Sequence, residues 1–178
     1  MPHIRDIFSE AAIVGLFAAG WGISKALGRR WTGAEVVVLA VIGLLFELLT
    51  AKLWHYHHII FIIPTTIDND ISATFPFAWA GLVMAATSMA EWAWRRWSLA
   101  PLWKRQLALS GAWFLCGLFA ETLFYNIGVI EYTDPPGWRL IPGQFPPFPP
   151  TNFIVGYALV PPFFSWLMLW LESGLRGG

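Results

Sequence analysis

The stretch "GLLFELLTAKLWHYHH", Gly43 to His58, decides how the chain is read. It places Glu47 inside an apolar run, then adds Lys52 and three histidines at its end. Around it the chain is oily: hydrophobic residues make up 57% of 178 and charged residues only 12%. A soluble domain carries about 25% charged residues, and the mean hydropathy here is +0.57. That balance predicts an integral membrane protein folded as one domain, 1–178. A membrane-crossing helix needs about 20 mainly apolar residues. Five stretches qualify, at about 9–27, 34–55, 72–93, 106–128 and 152–172. The expected fold is an all-α bundle of five transmembrane helices. The first span reads as a helix that stays, because its apolar run is long and no convincing A-x-A cleavage site follows.

The cations set the expected orientation. Lys25, Arg29 and Arg30 lie between spans one and two; Arg95, Arg96, Lys104 and Arg105 lie between spans three and four; Arg176 follows span five. By the positive-inside rule these regions and the C-terminus are cytoplasmic. The N-terminus, with Arg5, Asp6 and Glu10, then falls outside, as do the connections after spans two and four. The second of these contains "FPPFPP" (145–150), which favours extended polyproline geometry over helix. Twelve Trp suit aromatic belts at the two interfaces. Formal net charge is zero, so no basic field points to nucleic acid. The single Cys116 cannot form an intramolecular disulfide.

The opening stretch has an echo. It can be laid without gaps over "GLFAETLFYNIGVIEY" (117–132), so that Gly43 meets Gly117, Leu44 meets Leu118, Glu47 meets Glu121 and Leu49 meets Leu123. Spans two–three and four–five become candidate parallel repeats about an axis along the membrane normal. At 1.5 Å per residue both glutamates fall about 5 Å outward of their span centres. A charge at such depth costs about 2.5–3.5 kcal/mol on insertion scales, so it faces the bundle interior and marks a function by default. Low dielectric and a second carboxylate both favour the neutral acid, which suits a Brønsted acid in an oily cavity. The plain alternative is structural hydrogen bonding, with Thr50 one turn beyond Glu47 and Tyr125 four residues beyond Glu121. Lys52, matched to Asn126, reads best as a snorkelling cation. Glu35, Glu91 and Glu172 read as interfacial ion-pair partners.

His55, His57 and His58, with Asp68 and Asp70 further on and Glu131 in the other outer connection, have ligand chemistry suited to zinc, copper or iron. Their spacing matches no metal signature, and if the helix continues His55 and His58 share a face while His57 does not. Histidines beside Trp54 and Tyr56 are also ordinary at a membrane interface, so no metal is expected. No Gly-rich phosphate loop, C-x-x-C, G-x-S-x-G or H-E-x-x-H occurs, which leaves nucleotide-driven, dithiol and hydrolase chemistry unsupported.

Glu47 with "WHY" (54–56), and Glu121 with "GVIEY" (128–132), form a pattern of helix, buried acid and aromatic outer segment. That pattern resembles the repeat of small intramembrane isoprenoid enzymes: heterodimeric-type lycopene cyclases, bisanhydrobacterioruberin hydratases and fungal-type membrane terpene cyclases. The likeness spans most of 34–172 but lacks the paired-acid motif of the lycopene cyclases. It implies cofactor-free acid chemistry, protonating an alkene or epoxide, with aromatic rings sheltering the carbocation. Glu47 and Glu121 would be catalytic, and Trp54, Tyr56, Trp79, Tyr125, Asn126 and Tyr132 would line the substrate. "AETLFYNIGVIEY" is more loosely similar to a helix of sterol-isomerase and sigma-2 type membrane domains. The expectation is an enzyme or binder of an isoprenoid, carotenoid or sterol-like lipid, performing cyclisation, hydration or isomerisation without a cofactor in a prokaryotic inner membrane. Its partners would be that lipid and the bilayer, with a homo-oligomer as an option. The alternative is a non-catalytic subunit of a larger bioenergetic or photosynthetic membrane complex.

Overall fold

A computed structural model describes residues 4–50, 54–63 and 71–132, together with 154, 155, 158, 159, 162 and 166. Its described elements are α1 (Ile4–Ala26), α2 (Gly33–Thr50), β1 (Trp54–Tyr56), β2 (Ile62–Ile63), β3 (Ile71–Ser72), α3 (Phe75–Arg96), α4 (Leu102–Asn126) and β4 (Ile130–Tyr132). The six described positions between 154 and 166 are also helical; the rest of the expected fifth span lies outside the described residues. Helices α1, α2 and α4 are each long and apolar enough to cross a membrane, and this marks the chain as a membrane protein.

Helix α3 occupies the centre. It packs against α1, α2 and α4, and thirteen of its 22 residues are buried. Its burial explains its composition, since a helix surrounded by helices needs small residues for close approach more than it needs lipid-loving ones. Ala78, Ala80, Ala85, Ala86, Ala90 and Ala93 provide them. The tightest crossing is at Gly20 of α1 and Gly81 of α3: a Cβ on Gly20 would stand 2.0 Å from the Gly81 carbonyl oxygen. Nearby, the Ser24 hydroxyl donates to the Gly20 and Met84 carbonyls, and Ser88 donates to Ser24. The α2 residues Val37, Val38, Val41, Ile42, Leu45 and Leu49 remain exposed, as a membrane-facing stripe requires.

The helix ends are locally encoded. Thr32 and Glu35 form a reciprocal cap on α2: the Thr32 N–H donates to the Glu35 carboxylate at 2.7 Å, and the Glu35 N–H donates to the Thr32 hydroxyl at 3.2 Å. At the end of α4 the chain turns at Gly128, whose φ of +74° suits a residue without a side chain. There the Gly128 N–H reaches the Tyr125 carbonyl and the Val129 N–H reaches that of Phe124, the bonding of a Schellman stop. Val129 and Phe124 then join one buried cluster with Ile13, Phe75, Ala78 and Leu82.

Two short ribbons cover one end of the bundle. In the first, β1 and β4 run antiparallel with Trp54 opposite Tyr132, His55 opposite Glu131 and Tyr56 opposite Ile130. In the second, β2 and β3 pair Ile62 with Ser72 and Ile63 with Ile71. The sequence reading carried α2 to residue 55, but the described helix covers Gly33–Thr50 and 54–56 is strand. Aromatic residues favour a pleated surface, and β4 supplies the partner that local sequence could not reveal. The ladder continues through a 2.8 Å bond from the His57 N–H to the Val129 carbonyl. The local two-fold through the Tyr56–Ile130 pair therefore relates each residue to one 74 positions later, the separation of His57 and Glu131. The same offset lays Glu47 on Glu121.

Candidate functional site

The two glutamates are both interior. Glu47 is 0% exposed and Glu121 is 7% exposed. Measured from the centres of the described ranges of α2 and α4, they stand about 8 and 10 Å toward the ribbon end. Glu121 is farther from the middle than the sequence suggested.

Each carboxylate receives a tyrosine from the β1–β4 ribbon. The Tyr56 hydroxyl donates to Glu47, and the Tyr132 hydroxyl donates to Glu121. Glu47 is also the acceptor for the Trp79 indole N–H of α3 at 2.6 Å. Strand alternation explains the paired delivery, since opposed residues of a ladder share a face. Tyr56, Ile130 and Tyr132 share the bundle-facing side. Burial and the adjoining Glu121 carboxylate push the Tyr132 hydroxyl well above the usual phenol range, so it stays protonated and remains a donor. Gly43, one turn before Glu47, admits α3: a Cβ there would lie 2.8 Å from the Trp79 Cβ. The position that aligned with Gly117 in the sequence thus has a use in placing Trp79.

Trp79 also stands between the acids. It lines a cavity of about 10 Å³ with Leu16, Phe75, Ala78, Leu82, Ala120, Phe124 and Glu121. That volume is close to what a single water needs. Among the described residues Glu121 is the only acid on its wall. Aromatic rings crowd this end of the bundle, with Phe46 4.8 Å from Trp79, Tyr56 4.8 Å from Phe75 and Phe75 5.1 Å from Phe124 between centroids.

The remaining expected residues divide clearly. Tyr125 stacks near Tyr132, with centroids 5.8 Å apart. Asn126 is exposed, and its amide donates to the Thr122 carbonyl at 2.6 Å. The Thr50 hydroxyl donates to the Phe46 carbonyl of its own helix, and at Glu47 the ribbon residue Tyr56 takes the place that the sequence gave to Thr50. Trp54 pairs through its backbone with Tyr132. Lys52, Asp68, Asp70 and Glu172 lie outside the described residues. At the opposite end Glu91 pairs with Arg29, as expected; Glu35 instead caps α2.

The histidines do not cluster as one group. The His57 Nε2 meets a Glu131 carboxylate oxygen at 2.8 Å, while His58, at φ +55°, turns to Asp6 at 3.2 Å. Among the described residues no three His, Cys, Asp or Glu side chains converge as a metal centre.

One buried acid was missed. Glu10, assigned by sequence to an outer terminus, lies in α1 and is 7% exposed. It accepts from the backbone N–H groups of Ile60 and Phe61 at 2.8 and 3.2 Å, and from the Thr74 hydroxyl at 2.7 Å. The signal was available, since an acid seven residues inside a 23-residue apolar helix is costly unless bonded.

No family model, curated protein or solved structure matches the chain.

Proposed function

We propose that the chain is an intramembrane acid catalyst for an apolar isoprenoid-like lipid, with Glu121 and Glu47 at its centre. The carrying observation is the matched burial of two acids on α2 and α4, each held by a tyrosine from one shared ribbon. Glu121 faces the cavity and is assigned as the proton donor to an alkene or epoxide. Glu47, fixed by Tyr56 and Trp79, supplies the negative charge that a nearby carbocation needs. Trp79, Phe75 and Phe124 present ring faces that stabilise a cation electrostatically. The products that follow from protonation are a ring, a double-bond isomer or a hydrate.

In this reading spans two–three and four–five are parallel repeats, a fifth span covers 152–172, and the ribbon end faces outward from a prokaryotic inner membrane. A drug-sized ligand fills about 300–1,000 Å³, so the described bundle is the closed form. Substrate entry requires α3 and α4 to part at Trp79, Glu121 and Phe124.

The small cavity favours a second reading, a non-catalytic subunit whose acids are interior fasteners. Incubating detergent-solubilised protein with acyclic polyprenoid, carotenoid and sterol-type lipids separates the two. The catalytic reading expects a product of unchanged mass or one enlarged by water, absent with Glu121→Gln. A complete lack of conversion across the three lipid classes favours the subunit.

A further inference from the structure

The β1–β4 ribbon has a second face that acid catalysis does not use. His55 and His57 are two residues apart on one edge of the ladder, so their side chains leave the same side of the pleat. Glu131 is directly opposite His55, and directly opposed Cβ atoms in such a ladder are about 4.5–5.5 Å apart. Glu131 already reaches diagonally to His57, at 2.8 Å. One carboxylate is thus bonded to one imidazole and stands opposite the residue that carries a second, on the face turned away from Tyr56 and Tyr132.

We infer that this face binds one divalent transition-metal ion of the zinc class through His55, His57 and Glu131. Two imidazoles and a carboxylate form a recognised zinc donor set that leaves a fourth position for water. Metal–ligand bonds of about 2.0–2.2 Å at tetrahedral angles place ligand atoms about 3.3 Å apart. The His57–Glu131 contact therefore needs to widen by only about half an ångström. The three groups are not yet convergent, and the ion completes the set by drawing the half-buried His55 ring toward the existing pair. His58 is excluded, since its backbone turns it to Asp6. Among the described residues, the charged and titratable groups at this end include Arg5, Asp6, Glu10, His55, His57, His58 and Glu131, with Glu47, Glu121, Tyr56, Tyr125 and Tyr132 on the bundle side; Glu10 is committed to backbone N–H groups and Thr74. The ion would join β1 to β4 and so fasten the ribbon that carries both tyrosines. Its site does not depend on what, if anything, Glu47 and Glu121 catalyse.

The test uses the full chain in detergent, stripped with chelator and free of any polyhistidine tag. It is titrated with Zn²⁺, followed by metal analysis, and with Co²⁺, followed by visible absorption. The expected result is one ion per chain at pH 7.5, with tetrahedral cobalt bands. Outer-sphere changes alone weaken metal sites about 10–100-fold, so His55→Ala, His57→Ala and Glu131→Gln should each raise Kd at least that much. His58→Ala should bind as wild type, and metal should raise the melting temperature of wild type but not of His55→Ala. Absence of stoichiometric binding overturns the site. So does wild-type affinity in His55→Ala, or loss of binding in His58→Ala.

Discussion

His57 and Glu131 bond to each other across the β1–β4 ribbon, and the offset that lays Glu47 on Glu121 also lays these two residues on each other. Matched positions of the two echoing segments thus meet at a local two-fold, while the matched acids lie beneath it. The ribbon joins what the sequence suggested as repeats, and its bundle-facing side supplies a hydroxyl to each acid.

The register can be tested by cross-linking. In a Cys116→Ala background, His55→Cys with Glu131→Cys should oxidise readily, because directly paired strand positions fall within the 4.4–6.8 Å Cα range that a disulfide spans. His55→Cys with Ile130→Cys should not, since those side chains leave opposite faces. If α2 continued through residue 55, the first pair would not close.

The Tyr56–Glu47 bond should appear as energetic coupling. A cycle of Tyr56→Phe, Glu47→Gln and the double variant, unfolded in mixed micelles, should give a coupling of about 1 kcal/mol, within the range of buried hydrogen bonds in membrane proteins. Trp79→Phe should destabilise in the same direction, as it deletes the second donor to Glu47. Additivity between Tyr56→Phe and Glu47→Gln would contradict the bond.

Gly20→Ala should separate α1 from α3 and destabilise the bundle by about 1–3 kcal/mol, the usual cost of overpacking. The obstacle is backbone, the Gly81 carbonyl, and cannot rotate away. Gly111→Ala is the control: among the described residues nothing lies within 4 Å of its Cβ, so helix propensity alone predicts a gain of up to about 1 kcal/mol.

The raised position of the Tyr132 hydroxyl sets a direction for pH dependence. A folded-state value above the unfolded one means that its contribution is complete below about pH 10 and is lost as pH rises beyond it. Absorbance titration at alkaline pH should therefore show equal numbers of tyrosines ionising in folded wild type and folded Tyr132→Phe, although wild type has one more. Stability of wild type should fall more steeply above about pH 10 than that of Tyr132→Phe, as Tyr132 ionises in the unfolded chain.

Much of the bundle was legible because its signals are local. Apolar length gave α1, α2 and α4, and the positions of Glu47 and Glu121 in apolar runs marked them as interior. The strand at 54–56 was not legible, because its hydrogen-bond partner is β4, far away in sequence, and a helical continuation of α2 satisfied every local rule. That one misreading also put His55 and His58 on a common face, where strand geometry instead groups His55 with His57. Glu10 was misplaced for a related reason: its acceptors are satisfied by Ile60, Phe61 and Thr74, none of them near it in the chain.

The most direct test of the central claim is to purify the protein in mild detergent, extract it with organic solvent, and record absorbance and mass spectra of the extract. Wild type, Glu47→Gln and Glu121→Gln are compared, with each variant first shown to retain the wild-type helical content. The account predicts an isoprenoid-type lipid released by wild type and altered in amount or identity in both variants. Extracts free of such a lipid from all three, or the same lipid unchanged in all three, would contradict it.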